Sequence, residues 1–323
     1  MQGLPFDQSG ARAYFGVSGT NSTDDVDAIG YLAPERSPFL EHDLTRLISN
    51  LADPEKPVVA LLTDLPMQGN QFDQYTPWLA TDGMRQFFDV KFLTKDSTEL
   101  PEDVTVLVIA GAHTIQDELL YEMDQYVMNG GRVLAFADPY AESMALAGPA
   151  AGQLPPPGVG QAAIEPLLNA WGVVVERGDF VGNLDDAIRV GFPNPETGQQ
   201  VAVDYVAWLD LQGDRFTKED AITAQLQRIV MSSSGAFMTG DGADTTLEPL
   251  IFTTPNSDLM SAFDIAQQPN PIALRDKFES EDMVFNLAVR VIGTVNSAFP
   301  DGPTDAVLEA IEDEADKEAL RAA

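Results

Sequence analysis

Three polar side chains follow apolar runs that are typical of buried strands, and their chemical types suit acid–base or ligand-binding chemistry. They are Asp64, His113 and Asp138, and Gln68 lies in the same loop as Asp64. A histidine exchanges a proton near neutral pH, while carboxylates and amides bind polar groups or cations. Ligands in open α/β sheets collect beyond the carboxyl ends of the strands. We therefore predict a ligand-binding site formed by Asp64, Gln68, His113 and Asp138.

Each of these residues also has a structural interpretation. His113 precedes Thr114, a predicted helix cap, and would then be a polar loop residue. Asp138 with Pro139 makes a good turn, because Asp accepts backbone hydrogen bonds and Pro fixes φ. The alternative function is a sugar- or ester-acting hydrolase that uses Asp64, His113 and Asp138. Convergence of these three side chains on one point, directly or through one water, favours the hydrolase.

The cysteine and histidine counts exclude whole classes of site. The chain has no cysteine and two histidines, His42 and His113, which rules out disulfides, thiolate zinc sites, thiol nucleophiles and histidine-rich metal sites. His42 lies off the apolar stripe of its predicted helix, so we expect it to be exposed. The sequence has no phosphate-binding P-loop, Rossmann glycine fingerprint or nucleophile elbow. We predict no catalytic residue, no cofactor and no metal, and hence not an enzyme.

Oxygen-bearing side chains crowd the run from Thr20 to Asp27, which invites a calcium-binding interpretation. The run lacks the loop glycine and the final glutamate of an EF-hand. We favour a turn or capping segment, which needs no metal.

Acidic side chains outnumber basic ones 51 to 18, which gives a formal net charge of −33. This charge opposes nucleic acid and anionic membrane surfaces, since both are bound through Lys and Arg. By type there are 32 Asp and 19 Glu against 6 Lys and 12 Arg. Such a Lys-poor, Asp-rich balance suits high salt, where screening weakens self-repulsion, and it predicts a marine or halophilic source.

The apolar runs fall far short of the roughly 20 residues that a membrane helix needs. Residues 1–10 show no basic segment followed by an apolar one. The sequence therefore predicts a soluble chain without a signal peptide.

Helix and strand patterns alternate through residues 1–147. Continuous apolar runs, which suit strands buried on both faces of a parallel sheet, fall at 57–63, 90–93, 104–110 and 132–137. Apolar residues at helical spacing fall at 37–52, 78–88 and 114–128. The alternation predicts an α/β fold, a three-layer doubly wound domain with a mostly parallel sheet.

The rest of the chain has a different pattern. Residues 148–160 are rich in Pro and Gly and are predicted to be a linker or loop. Residues 161–303 are predicted to form an α+β second part, an elaboration of the first sheet rather than a free-standing domain, with a helix at 161–170 and strands at 173–176, 200–206, 228–232, 247–253 and 283–292. Residues 304–323 predict an acidic helical tail.

Several motifs carry a resemblance to a known family. Residues 14–69 contain GTNSTDD, the segment PER-x-x-FLE-x-DLT, and PVV-x-LL followed by LPMQG. Residues 130–142 read GGRVLAFADPYAE and residues 297–303 read SAFPDGP. On these motifs the chain resembles the ABC transporter auxiliary domain of gliding-motility-associated (GldG-like) proteins, which is related to the GIFT domain of intraflagellar transport proteins.

The resemblance implies a non-catalytic, extracytoplasmic subunit of a bacterial ABC transporter. Such a subunit lies on the periplasmic side of the inner membrane, held by membrane helices, and its partners are the permease and ATPase subunits. Envelope proteins and a second copy of the chain, as a homodimer, are further candidate partners.

The resemblance also implies a flavodoxin-like or class I glutamine-amidotransferase-like fold. In amidotransferases a strand-to-helix turn carries a cysteine nucleophile, and the corresponding turn here is Gly111-Ala112-His113. Because the chain has no cysteine, glutaminase chemistry is out of reach, while ligand binding at the same cleft is not.

Overall fold

A computed structural model describes residues 4–5, 12–13, 15–34, 37, 40–52, 55–69, 76–146, 155–195, 197–266 and 269–310. Its helices are α1 (Leu40–Ala52), α2 (Leu79–Phe87), α3 (Asp117–Met128), α4 (Glu142–Leu146), α5 (Val159–Ala170), α6 (Phe263–Ala266), α7 (Pro271–Lys277) and α8 (Asp305–Ala310). Its strands are β1 (Leu4–Pro5), β2 (Arg12–Ala13), β3 (Val17–Thr20), β4 (Val26–Ile29), β5 (Val58–Leu62), β6 (Asp89–Leu93), β7 (Val104–Ala110), β8 (Val133–Phe136), β9 (Val173–Val175), β10 (Asp179–Asn183), β11 (Ala187–Pro193), β12 (Gln200–Gln212), β13 (Arg228–Ser232), β14 (Phe237–Thr239), β15 (Thr245–Phe252), β16 (Ser257–Ser261) and β17 (Asn286–Gly293).

One sheet is parallel and has four strands in the order β6-β5-β7-β8. All of β5 is buried, as a continuous apolar run requires of a strand covered on both faces. Counted along the chain, the strand order is second-first-third-fourth, which begins the doubly wound order 2-1-3-4-5. The order reverses between β5 and β7, so their carboxyl ends open where doubly wound sheets bind ligands. The flavodoxin-like or amidotransferase-like assignment stays a prediction.

Apolar side chains form one core on each face of the parallel sheet, because successive residues of a strand point to opposite faces. The core on one face joins β5 and β7 to α3 and α5, through Ala60, Leu62, Leu107, Ile109, Leu119, Met123, Ile164 and Leu167. The core on the other face joins the same strands to the region of α2, through Val59, Leu61, Val108, Ala110, Trp78 and Met84. The strand ends are therefore held rigidly from both sides.

The hairpin of β3 and β4 packs on α1. A Cβ atom on Gly19 would lie 2.6 Å from Leu51 Cδ1, so a larger residue there would require the Leu51 side chain to move. In the turn, Asn21 Oδ1 accepts the backbone N–H of Thr23 at 3.0 Å and that of Asp25 at 2.9 Å. The run that invited a calcium interpretation therefore forms the predicted turn, closed by its own hydrogen bonds.

Antiparallel pairs make up the second part of the chain. Three strands form a sheet in the order β11-β12-β13, and β10 pairs with β16, β14 with β9, and β15 with β17. Two further cores lie here, one around Phe180 and Val206 and one around Leu209 and Leu211. The long strand β12 contributes to both cores, which ties this part together.

Two later segments return to the parallel sheet. Helix α5 packs in the core of that sheet through Ile164 and Leu167, and it begins at Val159, inside the predicted linker. Near the end, Phe299 stacks edge-on against Tyr121 of α3 with ring centroids 5.3 Å apart. Helix α8 follows next to α3. The predicted tail continues past this helix, but residues 311–323 lie outside the described part of the chain, as do residues 147–154.

The predicted strands of the parallel sheet match the observed ones to within one residue at either end. The cap predicted at Thr114 is wrong: α3 begins at Asp117, and its N-cap Gln116 makes no side-chain cap bond. The strand predicted at 200–206 continues to Gln212. His42 lies in α1, but its predicted exposure falls outside the described side chains. No described helix combines the length and apolar character that crossing a membrane requires.

Candidate functional site

The carboxyl ends of β5, β7 and β8 place three of the predicted site residues at one edge of the parallel sheet. Strand β7 pairs with β5 on one side and with β8 on the other. Asp64, His113 and Asp138 therefore lie on neighbouring loops. Short local turns start two of these loops: Thr63 Oγ1 accepts the N–H of Leu65 at 3.0 Å, and Asp138 Oδ1 accepts the N–H of Tyr140 at 3.0 Å.

Asp64 and His113 form a direct pair. Asp64 Oδ2 accepts the backbone N–H of His113 at 2.8 Å and lies 3.4 Å from His113 Nδ1. Gly111 makes this approach possible, because its φ is 63° and a Cβ there would lie 2.7 Å from Leu65 Cγ. Burial raises the pKa of Asp64, but the hydrogen bonds and charge of His113 outweigh it, so that the pKa lies below its ordinary value.

Asp138 has the opposite electrostatic environment. Burial raises the pKa of Asp138 to about 6, with a smaller upward contribution from the charge of Glu142. The backbone N–H of Tyr140 and the charge of His113 act in the other direction without cancelling the effect of burial. Asp138 can therefore take up or release a proton close to neutral pH.

His113 and Asp138 line one small cavity. Its other walls come from the loop after β8 and from the chain entering α5, namely Pro139, Tyr140, Ala141, Pro155, Pro156 and Gly160. The cavity volume is about 10 Å³, which is room for a single water molecule. A Cβ on Gly160 would lie 3.5 Å from Ala112 O and 3.6 Å from Asp138 O, so the first turn of α5 closes over both loops.

Gln68 does not join this group. It is exposed in the turn after β5, and in the described part of the chain it is not among the residues that line the cavity. Of the four residues predicted to bind a ligand, the structure thus brings Asp64 to His113 and His113 to Asp138.

The second part of the chain holds the loop after β8 in place. Glu142 accepts hydrogen bonds from Ser233 Oγ at 2.7 Å and from Trp208 Nε1 at 3.0 Å. The hydroxyl of Tyr140 donates to Ala266 O at 3.3 Å. Ser233 is fully buried and has a φ of 43°, a conformation that L residues rarely adopt. These contacts join regions far apart in the sequence.

Sequence reasoning missed the residues that close and support the cavity. The composition around Pro155, Pro156 and Gly160 predicts a linker, and nothing in the local pattern places these residues over β7 and β8. Glu142 ends the motif GGRVLAFADPYAE, but nothing in the sequence marks Glu142 or Ser233 as a contact of the site. Only the tertiary fold brings them to the site.

The arrangement suits hydrogen bonding and proton exchange with a small polar group. Asp64 can orient His113 through Nδ1, as a carboxylate does for a general base. Within the described chain, no Ser, Thr or Cys side chain lines the cavity, and the one hydroxyl among the lining residues, that of Tyr140, donates to Ala266 O.

Comparison with known proteins places the chain in a transport context. A family model described as an ABC-type uncharacterized transport system matches residues 56–320. This range begins just before β5 and includes the cavity, the antiparallel part and the returning C-terminal segment. No curated protein and no solved structure matches the chain.

Proposed function

This chain belongs to the family of ABC-type uncharacterized transport systems, and we propose that it is a non-catalytic, extracytoplasmic subunit of a gliding-motility-type bacterial ABC transporter. The family consists of auxiliary components of ABC transport systems, and membership in it supports the same general role for this chain. The match over residues 56–320 carries the proposal. The GldG-like motifs quoted above support its finer part.

In this role the chain works with a permease and an ATPase subunit in the inner membrane and uses the strand-end cavity to bind a polar group of a ligand or partner protein. The chemistry of Asp64, His113 and Asp138 supports this use. The cavity volume of about 10 Å³ favours a single polar atom, such as the hydroxyl or ammonium end of a partner's side chain, over a large free ligand.

Residues 1–323 contain no cysteine, so in a test of location any label on these residues comes from an introduced thiol. In cells that express the full-length protein, Ser232→Cys places a thiol at an exposed position, and Ser257→Cys places one where the side chain is 0% exposed. A membrane-impermeant maleimide added to cells with a permeabilised outer membrane should label the first variant and spare the second. Labelling of Ser232→Cys only after the inner membrane is broken would contradict the extracytoplasmic location.

The partnership can be tested by cross-linking the full-length protein in its native membrane and purifying it through a tag. We expect mass spectrometry to recover a permease subunit and an ATPase subunit of one ABC transporter. Recovery of neither, from cells in which the transporter is expressed, would contradict the proposal.

The hydrolase alternative is motivated by one arrangement, the Asp64–His113 pair next to Asp138. Turnover of model esters or glycosides by the purified chain would favour it, provided that His113→Ala and Asp138→Asn both abolish turnover. Gln68→Ala is the matched control, because Gln68 lies away from the cavity and its loss should leave turnover unchanged. We expect no turnover in any of these proteins.

A further inference from the structure

The cavity between the loop after β8 and the first turn of α5 is bordered by hydrogen-bond acceptors. The carboxylate of Asp138 accepts one bond from a described residue, the backbone N–H of Tyr140 at 3.0 Å. Ala112 O and Asp138 O lie 3.5 and 3.6 Å from the position of a Cβ on Gly160, and no described residue donates to either oxygen. The hydroxyl of Tyr140 is already used, because it donates to Ala266 O.

His113 adds a further acceptor to this border. Its Nδ1 lies 3.4 Å from Asp64 Oδ2, so the neutral imidazole carries its proton on Nδ1 and leaves Nε2 as an acceptor. The neighbouring atom of the ring, Cδ2, lies 3.7 Å from the position of a Cβ on Gly160. The edge of the ring that holds Nε2 therefore faces the first turn of α5 and the cavity.

The charge at the cavity is negative and poorly compensated. Burial and the charge of Glu142 raise the pKa of Asp138 to about 6, which means that the ionised carboxylate is short of favourable partners. No Lys or Arg of the described chain lines the cavity. Among the described residues there is also no group of three acids or histidines that could hold a metal ion. A cation with N–H donors would supply both the missing charge and the missing hydrogen bonds.

The size of the cavity selects among such cations. Its volume of about 10 Å³ admits one non-hydrogen atom. A primary ammonium group meets this limit and carries three N–H donors, whereas the planar guanidinium of arginine needs more room. We propose that the cavity binds a primary ammonium group, such as the end of a partner's lysine side chain, with the carboxylate of Asp138 and Nε2 of His113 as acceptors. This inference rests on the proposed use of the cavity and names the chemical class of its ligand.

The test is an NMR titration of the full chain at constant ionic strength and about pH 8, where the imidazole of a typical histidine is neutral. The probe is n-butylammonium chloride, which has the end of a lysine side chain, and sodium butyrate is the matched probe of opposite charge. We expect saturable shifts of the Tyr140 and Gly160 amide signals with n-butylammonium alone. Because the first turn of a helix attracts anions, equal or tighter binding of butyrate would overturn the proposal, as would a lack of saturable n-butylammonium binding.

The contribution of the carboxylate is tested with Asp138→Asn, which keeps the size of the side chain. The dissociation constant of n-butylammonium should rise about 10-fold or more, since a hydrogen bond to a charged group is lost. Glu248→Gln is the matched control, because it removes one negative charge at an exposed position of β15. It should leave the dissociation constant unchanged. Equal weakening by both substitutions would mean that the overall charge attracts the probe, and the proposal would fall.

Gly160→Ala tests the cavity itself and keeps every charge in place. The new Cβ would lie at ordinary van der Waals distances from its neighbours, 3.5 Å from Ala112 O and 3.7 Å from His113 Cδ2, so we expect the variant to fold. The methyl group takes up the space of the cavity, and saturable binding of n-butylammonium should disappear. Undiminished binding to this variant would contradict the proposal.

Two sources of the ammonium group, a free amine and a lysine residue, are separated by a third probe, lysine capped at both ends as an acetyl and methylamide derivative. Tighter binding of the capped lysine than of n-butylammonium is expected for a site that receives a lysine of a partner protein, whereas weaker binding indicates a free amine. The tests of location and partnership are independent of all these titrations, so the transporter role and the ammonium site can fail separately.

Discussion

Asp124 and Asp138 are both shielded from water by folding, but they differ in the number of hydrogen bonds that their carboxylates accept. Asp124, in α3, is fully buried and accepts hydrogen bonds from the side chains of Gln125 and Ser297 and from the backbone N–H of Ala298. Asp138, at the cavity, accepts the backbone N–H of Tyr140, and burial raises its pKa to about 6. The comparison teaches that a buried carboxylate with several donors can join distant segments of the chain, whereas burial with a single donor among the described residues raises the pKa of Asp138.

Removing the carboxylate of Asp124 should have the largest effect. Asp124→Ala leaves the donors of Ser297 and Ala298 without their acceptor and releases the C-terminal segment from α3. We expect the free energy of unfolding to fall by about 3 kcal/mol, as for a broken buried network. Urea denaturation followed by circular dichroism measures it. The control Glu122→Ala changes an exposed acid on the same helix; a loss as large there would show that the hydrogen bonds of Asp124 are not the cause.

Asp138→Asn should change stability in the opposite direction. Between the ordinary pKa of 3.8 and about 6, the folded chain binds more protons at Asp138 than the unfolded chain does. The free energy of unfolding therefore falls as pH rises through this window. The asparagine avoids that loss, so at pH 7 the variant should be more stable than the parent by about 3 kcal/mol. At pH 4 the two proteins should be nearly equal, and an equal gain at both pH values would contradict the charge-burial explanation.

Asp64→Asn should be destabilising, although Asp64 also stands at a strand end of the same sheet. Its folded pKa is lowered, so its contribution is present above the ordinary pKa and is lost as pH falls below it. We expect the free energy of unfolding at pH 7 to fall by about 1 kcal/mol, the value of one hydrogen-bonded contact. Chemical denaturation of Asp64→Asn, His113→Gln and the double variant tests the pair. Additive losses would mean that the two side chains do not interact.

The smallest effect is expected from Glu142→Gln. The charge of Glu142 contributes less than burial does to the raised pKa of Asp138. Its removal should therefore lower that pKa only slightly and leave it above the ordinary value of 3.8. Carboxyl carbon NMR titration measures the change, and Glu248→Gln on the exposed side of β15 serves as the control. A return to the ordinary pKa would show that repulsion, not burial, dominates at the cavity.

Much of the fold around the site could be predicted because its signals are local. The apolar runs of β5 and β7 predict buried strands, and Asp64 and His113 follow these strands within a few residues. Parallel pairing then places neighbouring strand ends together. The sequence could not predict that Asp64 joins the site and Gln68 does not, since both are polar residues of the same loop. Only the geometry of the turn directs Asp64 to His113 and leaves Gln68 exposed.

The edges of the sheet show the same limit. The composition of β8 predicts a buried strand, yet its position at the outside of the sheet leaves Leu134 and Phe136 half-exposed. Sequence periodicity reports which residues share a face, but not whether a neighbouring element covers that face. For the same reason the sequence does not show the role of α5. Its apolar stripe predicts a helix, but it does not predict that the first turn of this helix closes the cavity.

By itself the sequence determined the strand ends that carry Asp64, His113 and Asp138, the lack of thiol chemistry, and the motifs shared with an ABC transporter auxiliary family. The tertiary structure alone decided that Asp64 pairs with His113, that Gln68 stays outside, and that Asp138 is buried with few donors. Residue type and spacing act over a few residues of chain. The pKa of a carboxylate and the walls of a cavity depend on which distant segments exclude water from it.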